Sequence, residues 1–362
     1  MKNIYGVVNG ERESVVMSLK KVYESYFKIG TSVSERNLFS ADAKQEILKH
    51  YSSITAENGM KPMYLLDGKA NIAEPEKYNL SPAVCFDSAR KYLEFAKENN
   101  ILLRGHTLVW HNQTPDWFFR KDYSTDKEAP LAGREVMLAR LEGYIRGVLT
   151  FVQTEYPGVI YAWDVVNEVI EESEENGWRK SLWYRTVGED FVLQAFRMAR
   201  KYAHKDVKLF YNDYCTFVPK KRDKIKELIL EPLIDENLID GMGMQSHLVL
   251  KYNELTEYEK SLKTFGDLGL EIHITELDIH NPDSSEQGQQ DLMEAYKNLF
   301  QLLVKAKKNA GVNVTSVTFW GMKDDESWLT GFRKEKSYPL LFGENYELKQ
   351  AYYAVIDVLN HV

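Results

Sequence analysis

Two glutamates at the ends of strand-like runs have the chemistry to cleave a glycosidic bond. Glu168 closes the segment Trp163–Glu168, and Glu276 lies in the similar segment Ile274–Asp278. Each follows a short β-branched, apolar run, which is typical of a buried parallel strand that presents a polar residue at its carboxyl end. Two carboxyl groups at one end of a fold can divide the work, because one protonates the leaving oxygen while the other attacks the sugar or activates water.

The elements that must bring these glutamates together are eight strand-like runs that alternate with helical patterns. The alternation predicts a (β/α)8 TIM barrel in the α/β class, formed by a single domain over residues 1–362. An open, doubly wound sheet fits less well, because no Gly-rich phosphate loop follows the first run. The runs are Phe27–Val33, Ser53–Glu57, Leu102–Leu108, Tyr161–Asn167, Val207–Asn212, Gly241–Ser246, Glu271–Glu276 and Thr315–Trp320, and the helical patterns include Phe86–Asn99, Leu138–Thr154 and Leu292–Lys308.

Polar and aromatic residues stand at the ends of nearly all the runs. In a barrel of this kind the carboxyl ends of the strands form the working face. Core packing does not account for apolar strand bodies with polar tips, so this concentration is the residue-based argument for an active site. The residues are Glu57, Asn58, Lys61, His106, Trp110, His111, Asn167, Glu168, Asn212, Asp213, Gln245, His247, Glu276, Asp278 and Trp320.

The residues around the second glutamate favour a nucleophile there. The two-residue period of a strand places Gln245 and His247 on one face, and likewise Glu276 and Asp278. A carboxylate beside a His and a Gln would be held in one rotamer and kept ionised, as a nucleophile requires. Glu168 would instead have to carry a proton at neutral pH and deliver it to the leaving oxygen.

Several residues have ordinary structural alternatives. A lone Glu at a strand end is most often part of a salt bridge, an alternative that weakens because both glutamates stand in motifs of their own. Lys61 is equally compatible with a solvated side chain and with a donor to sugar hydroxyls. Trp320 and Trp328 flank a turn with Gly and charged residues and could belong to the core or wall a sugar ring.

No metal or other cofactor is predicted. His106 and His111 are five residues apart, which places them on neither one helix face nor one strand face, and no His-Glu-x-x-His motif is present. A bond to a sugar hydroxyl or a structural role is therefore favoured over zinc for both. Asp213 and Asp278 lack the spacing of a calcium loop.

Composition argues against several partners and locations. The net charge of −8 is unfavourable for a nucleic acid or an anionic membrane. The basic run Lys220–Arg222 precedes Asp223 and is interpreted as a solvated helix start. No segment approaches the ~20 apolar residues of a membrane span, and the first residues lack the apolar core of a signal peptide. With two distant cysteines, Cys85 and Cys215, the chain is expected to be cytoplasmic, as a monomer or homodimer.

The motifs resemble those of glycoside hydrolase family 10, the (β/α)8 endo-β-1,4-xylanases. Seven segments match in order and span most of the chain, which makes the resemblance very specific. The segments are Thr55–Lys61, Gly105–His111, Trp163–Glu168, Asn212–Tyr214, Gly243–Leu248, Ile274–Asp278 and Thr318–Leu329.

The resemblance implies a role for each candidate residue. It makes Glu168 the acid/base and Glu276 the nucleophile of a retaining enzyme, whose carboxyl groups lie ~5–5.5 Å apart. It also implies that His247 and Asp278 orient Glu276, that Gln245 lies near Glu168, and that Asn167 binds the 2-hydroxyl of the sugar being cleaved. The implied glycone subsites contain Glu57, Asn58, Lys61, His106 and Trp110, and the implied walls of the cleavage subsite are Trp320 and Trp328.

Two departures from the family pattern leave the implied chemistry intact. Ser32 stands where Ala is common, and residues 248–252 are less typical, which could alter the subsites on the leaving-group side. A cytoplasmic member is expected to trim xylo-oligosaccharides rather than attack insoluble xylan. Two alternatives to the xylanase are a related barrel β-1,4-glucanase or aryl-cellobiosidase, and a non-catalytic barrel that only binds sugar.

Overall fold

Eight parallel strands form a closed barrel in the computed structural model, which describes residues 17–250 and 255–360. The ring closes because β1 pairs with both β2 and β9, while β6 pairs with β8. The predicted (β/α)8 TIM barrel is confirmed. The extent of the domain over all of residues 1–362 stays a prediction, since both ends lie outside the described ranges. The strands are β1 Lys28–Val33, β2 Ser53–Ala56, β3 Leu102–Trp110, β4 Ile160–Asn167, β5 Lys208–Asp213, β6 Gly241–Met244, β7 His247–Val249, β8 Glu271–His280 and β9 Val314–Phe319.

Each predicted run overlaps one barrel strand, and the main differences lie at the carboxyl ends. β3 continues to Trp110 and β8 continues to His280, both beyond the predicted limits. The short strand β7 is not part of the barrel; it pairs in parallel with the extension of β8, with His247 opposite Asp278. The strands therefore extend furthest on the face where the candidate residues lie.

The helices cover the barrel through amphipathic faces. The longest of those described, α14, begins after Ser285, whose Oγ accepts a hydrogen bond from the Gly288 N–H at 3.2 Å. Its buried residues recur at three- and four-residue spacing from Leu292 to Leu303, as expected for a helix that packs on a sheet. The α-helices are α1 Leu19–Val22, α2 Glu35–Phe39, α3 Ala41–His50, α4 Pro62–Leu65, α5 Gly68–Ala73, α6 Pro75–Tyr78, α7 Asp87–Glu98, α8 Arg134–Glu155, α9 Leu182–Val187, α10 Phe191–Tyr202, α11 Pro219–Ile225, α12 Glu231–Asp235, α13 Leu255–Gly266, α14 Glu286–Asn309, α15 Trp328–Arg333 and α16 Gln350–Asp357.

A buried polar network joins β3, β4 and β8 inside the barrel. Arg104 and Asp164 form a two-pronged ion pair, and Arg104 Nη2 lies 2.6 Å from Asp164 Oδ1. Arg104 Nε also donates to His273 Nδ1 at 3.2 Å, and burial with the nearby Arg104 charge lowers the pKa of His273. A buried charge pair is costly unless its remaining donors and acceptors are satisfied, and here they are largely satisfied by neighbouring strands. The network fixes the strands beneath the candidate site.

Two further observations concern membrane spans and the cysteines. Within residues 17–250 and 255–360, no helix is both long and apolar enough to cross a membrane. Cys85 and Cys215 are free thiols.

Candidate active site

Glu276 lies on β8 with a donor on each carboxylate oxygen. Asn212 Nδ2 donates to its Oε1 at 2.8 Å, and His247 Nε2 lies 3.3 Å from its Oε2. The backbone N–H of Glu276 donates to the carbonyl of Gln245 at 2.9 Å, so the start of the side chain is fixed as well. The side chain is therefore buried and held in one orientation.

A relay of side chains keeps this carboxylate charged. His247 Nδ1 lies 2.9 Å from Asp278 Oδ1, and Trp328 Nε1 donates to Asp278 Oδ2 at 2.8 Å. Burial alone would lower the pKa of His247, but the charge and hydrogen bond of Asp278 raise it to about 10. Burial would raise the pKa of Glu276, but the hydrogen bond from His247, with an electrostatic contribution from His106, lowers it to about 2. His247 is thus a cation at neutral pH, and Glu276 is an anion.

Glu168 follows β4 in a left-handed backbone conformation, with a φ of +59°. Its N–H donates to the Asn212 carbonyl at 2.9 Å, and its own carbonyl accepts from Arg179 Nε at 3.1 Å. A non-glycine residue at positive φ is held there by its surroundings, at a cost of about 1–2 kcal/mol. The turn directs the side chain to Gln245 Nε2, at 2.8 Å from Oε1, and to Trp110 Nε1, at 2.9 Å from Oε2.

Three amide side chains connect the two glutamates. The Gln245 Nε2 group donates both to Glu168 Oε1 and, at 3.3 Å, to Asn167 Oδ1. The Asn212 Nδ2 group likewise donates to Asn167 Oδ1, at 2.9 Å, and to Glu276 Oε1. A continuous chain of hydrogen bonds therefore runs from one carboxyl group to the other.

The bridge depends on a glycine in β6 and leaves one donor free. A Cβ added at Gly243 would lie 2.4 Å from Asn212 Oδ1, so only glycine leaves room for this amide. With Asn167 Oδ1 engaged twice, the Asn167 Nδ2 group is buried and has no hydrogen-bond partner among the described residues. A buried donor of this kind is costly unless a ligand satisfies it, which suits the 2-hydroxyl contact that the resemblance implies.

The residues after β2 form a second polar group. Lys61 is only 5% exposed, and its Nζ donates to Asn58 Oδ1 at 3.1 Å and lies 5.0 Å from the centre of the Trp110 ring. Burial lowers the pKa of Lys61, against the charges of Glu276, Glu57 and Glu168. The solvated alternative for Lys61 is wrong, because the side chain is buried beside both glutamates.

Trp320 and Trp328 each pack against a histidine of the site. His106 Nδ1 lies 2.9 Å from Asp164 Oδ2, and its ring centre is 5.5 Å from that of Trp320. Trp328 packs on the other side, with its ring 4.8 Å from that of His247. A cleft of about 400 Å³ is lined by Glu57, Trp320 and Trp328 together with residues of the loops after β1 and β9. Neither tryptophan belongs to the core alone, since each also lines the cleft.

The structure thus brings the thirteen residues to which the resemblance assigns a role to one face of the barrel, with two changes of partner. The two-residue period of the strands predicted that the Gln245 side chain lies beside Glu276. Its amide instead contacts Glu168, as the resemblance implied. Trp110, implied to line the glycone side, also donates to Glu168. The second donor to Glu276 is Asn212, a strand-end residue without a predicted role. Its position at a carboxyl end was the signal that could have identified it.

The interpretation of the basic run as a helix start is confirmed, since α11 begins at Pro219, but the expected solvation is wrong for one of its residues. Lys221 was expected to be solvated, but it is 1% exposed and its Nζ lies 2.7 Å from Asp213 Oδ1. Tyr211 donates to the same carboxylate, and the Lys221 charge lies 3.3 Å from the centre of the Tyr214 ring. The local sequence hides this pair because its acidic partner belongs to β5. In the part of the chain that the structure describes, no group of three or more His, Cys, Asp or Glu side chains is arranged to hold a metal ion.

Comparison with known proteins identifies the family. Residues 18–358 match the Glycosyl hydrolase family 10 model. The chain is 56% identical over 340 residues to endo-1,4-beta-xylanase B of Butyrivibrio fibrisolvens, with 94% of this chain and 53% of that protein covered, so it spans about half of that relative.

Solved structures agree over the length of the barrel. The CBM22-1–GH10 modules of an endo-1,4-beta-D-xylanase from Clostridium thermocellum, complexed with xylohexaose, match with a TM-score of 0.85 and 34% identity, covering 95% of this chain and 68% of that one. An intracellular xylanase from Thermoanaerobacterium saccharolyticum matches with a TM-score of 0.82 and 35% identity, covering 95% and 99%. Together with the geometry of the site, these matches show that the chain belongs to glycosyl hydrolase family 10.

Proposed function

We propose that the protein is a retaining endo-β-1,4-xylanase that hydrolyses internal bonds of xylan or xylo-oligosaccharides. The observation that carries the proposal is the asymmetry of two hydrogen-bonded glutamates on one barrel face. Glu276 is held as an anion by His247, whereas Glu168 contacts the neutral donors Trp110 and Gln245. The family membership and the names of the relatives support xylan as the substrate class.

In the first step Glu276 is the nucleophile and Glu168 the acid. A Glu276 carboxylate oxygen forms a bond to the anomeric carbon while the bond from that carbon to the glycosidic oxygen breaks. The electron pair goes to the departing oxygen, which takes the proton of Glu168. Because His247 and Asn212 hold the carboxylate in place, little reorganisation is needed for the attack.

In the second step Glu168 is the base. Its carboxylate removes a proton from water, the water oxygen bonds to the anomeric carbon, and the ester bond to Glu276 breaks. The departing carboxylate is again an anion beside His247 and Asn212. Two displacements at one carbon restore the starting anomeric configuration.

The decisive experiment is a mass measurement of the intact protein after incubation with a 2-deoxy-2-fluoro-xylobioside that carries a good leaving group. We expect a stable adduct, which peptide mapping places on Glu276. An adduct on another residue, or none despite turnover of the parent xylobioside, would refute the assigned nucleophile or the mechanism. Faster turnover of an aryl β-cellobioside than of the aryl β-xylobioside would favour the glucanase alternative, and inactivity on both would favour the non-catalytic barrel.

Location and assembly are separate proposals. We propose a cytoplasmic location, which a solved neighbour described as intracellular supports, and a role in trimming xylo-oligosaccharides. Cell fractionation with antibody detection tests the location, and strong activity on insoluble xylan with weak action on short oligomers would contradict the role. The prediction of a monomer or homodimer is tested by light scattering during gel filtration.

A further inference from the structure

The 400 Å³ cleft continues the sugar site outward past Glu57. Its inner border is formed by Glu57, Trp320 and Trp328, which belong to the predicted sugar-binding residues. Its outer border is formed by Ser34 and the first residues of α2, 35–37, together with residues 325–326 of the turn after β9. Within the described residues its lining includes neither catalytic glutamate, so the cleft lies to one side of the point of cleavage.

Glu326 is fixed at this outer border. Asn37 Nδ2 donates to Glu326 Oε2 at 2.8 Å, across the gap between α2 and the turn after β9. Asn37 is 4% exposed, and its Oδ1 accepts from both the N–H and the Oγ of Ser34, at 2.7 and 2.8 Å. Lys323 Nζ forms an ion pair with the other carboxylate oxygen, Glu326 Oε1, at 3.5 Å. The buried amide fixes the orientation of the Glu326 carboxylate, as is required of a group that binds a ligand.

The charges around the cleft favour a neutral ligand. Glu57 and Glu326 both line it, and burial, together with the charge of Glu326 and against that of Lys61, raises the pKa of Glu57. Two acidic side chains around one half-buried space repel each other. Sugar hydroxyls can donate to both and relieve this repulsion, whereas a carboxylate on the ligand would add to it.

The other charged side chains of the lining are engaged or peripheral. Glu35 pairs with Lys91 at 2.5 Å, and Asp325 pairs with Lys323 at 2.7 Å. Arg36 also lines the cleft, but its side chain is exposed, so solvent screens its charge. Glu326 shares Lys323 with Asp325, but at 3.5 Å rather than 2.7 Å, and it is the acidic group of the outer border that a buried neutral amide also directs.

We infer that Glu326, oriented by Asn37, binds a hydroxyl of a neutral xylosyl unit that lies beyond the units contacted by Glu57, Asn58 and Lys61 on the glycone side. The inference rests on the proposed function, because it extends the same sugar site. Trp320 and Trp328 border both regions, so one substrate chain can pass from the cleavage point into the outer cleft. The added contact determines how many units the enzyme holds on the glycone side, and so where a long oligomer is cut.

The test is the cleavage pattern of xylohexaose labelled at its reducing end, compared between wild type and Glu326→Gln. Loss of the charged acceptor should shift cleavage toward the non-reducing end and lower kcat/KM on xylohexaose about threefold to tenfold, with a smaller loss on an aryl xylobioside. Asn37→Asp, which places a repelling carboxylate beside Glu326, should shift the pattern in the same direction. Glu344→Gln, an exposed glutamate paired with Lys336, is the control.

The outcomes separate this inference from the proposed function. An unchanged pattern in Glu326→Gln, with wild type active and labelled on Glu276, would refute only the outer subsite. Equal losses on short and long substrates, with a lowered thermal midpoint, would show a structural role and also refute it. In a parallel digest of a glucuronate-branched xylo-oligosaccharide, products that place the branched unit preferentially in the outer cleft would contradict the neutral ligand. No cleavage of xylohexaose by wild type would refute the proposed function itself.

Discussion

The two glutamates at the barrel mouth are held by opposite kinds of partner. Glu276 lies in a charged, buried relay, in which His247 stands between it and Asp278. Glu168 is half-buried and contacts the uncharged donors Trp110 and Gln245. The difference follows from position: Glu276 is inside an extended strand, whereas Glu168 follows a strand in a left-handed turn.

This contrast is the basis of the two different roles proposed for the two glutamates. A cation within hydrogen-bond distance makes protonation of Glu276 unfavourable, so that carboxylate stays charged, as the nucleophile role proposed for it requires. The hydrogen-bond donors that orient the Glu168 carboxyl group are neutral, which suits the acid/base role proposed for it. The amide bridge through Asn167 fixes the two side chains relative to each other but carries no net charge.

Removal of the nucleophile is expected to have the largest effect. Glu276→Ala should lower kcat by roughly 10⁴-fold or more on every substrate, because no other group forms the covalent intermediate. The measurement is turnover of xylotetraose and of an aryl xylobioside with an activated leaving group. Glu344→Ala serves as the control. A loss that is large on xylotetraose but small on the aryl substrate would exchange the two assigned roles.

Removal of the acid/base should have a smaller effect that depends on the substrate. Glu168→Ala should lower kcat/KM by roughly 10²–10⁴-fold on xylotetraose, but far less on an aryl xylobioside whose leaving group needs no proton. Added azide should then accelerate the second step and give the azide product of retained configuration. Azide acting on Glu276→Ala should give the inverted product instead. The same configuration from both variants would contradict the contrast between the two sites.

Replacement of the cation beside Glu276 should weaken the nucleophile without abolishing it. In His247→Gln, Glu276 loses a charged donor, so its pKa should rise from about 2 toward the ordinary value of a glutamate. We expect kcat/KM to fall roughly 10–100-fold, with the acidic limb of the pH–rate profile displaced to higher pH. A pH–rate profile of unchanged shape would show that His247 does not set the charge of Glu276.

The same relay should make stability depend on pH. The pKa of His247 is raised to about 10, so the native state binds a proton that the unfolded chain releases above about 6.5. The contribution of this proton to stability is complete below pH 6.5 and is lost as pH rises toward 10. Denaturant titrations between pH 6.5 and 9 should show a decline in the free energy of unfolding of a few kcal/mol in wild type and a shallower one in His247→Gln. Parallel curves would contradict the charged relay.

The polar residues at the strand ends predicted this site from the sequence. The predictions that were missed or wrong concern contacts between residues that are distant in the sequence. Glu168, Glu276 and His247 were recognised because buried runs end in polar residues inside specific motifs. The role of Asn212 was missed, since its reach to Glu276 depends on the absence of a side chain at Gly243 in the next strand. A local pattern contains no information about which strands are neighbours in the closed ring.

Two further errors have the same physical origin. Lys221 looked solvated because its run is basic, yet it pairs with Asp213 of β5 in the interior. The end of β8 was placed at Glu276, but the strand continues because β7 pairs with its extension. In each case a partner distant in the sequence overrides the local preference, so the fold class was predictable while the network of hydrogen bonds was not.

A matched pair of tryptophan variants should give the smallest and most discriminating difference between the two sites. Trp328→Phe removes the indole donor from Asp278, and Trp110→Phe removes the one from Glu168, while each retains an aromatic ring. Each loss should lower kcat/KM about threefold to tenfold on xylotetraose. The aryl xylobioside should separate them. Trp328→Phe acts through His247 on the nucleophile and should slow both substrates alike, whereas Trp110→Phe should mainly slow the substrate that needs protonation. Identical dependence on the leaving group would mean that the two indoles serve the sugar site as walls rather than orienting two different carboxyl groups.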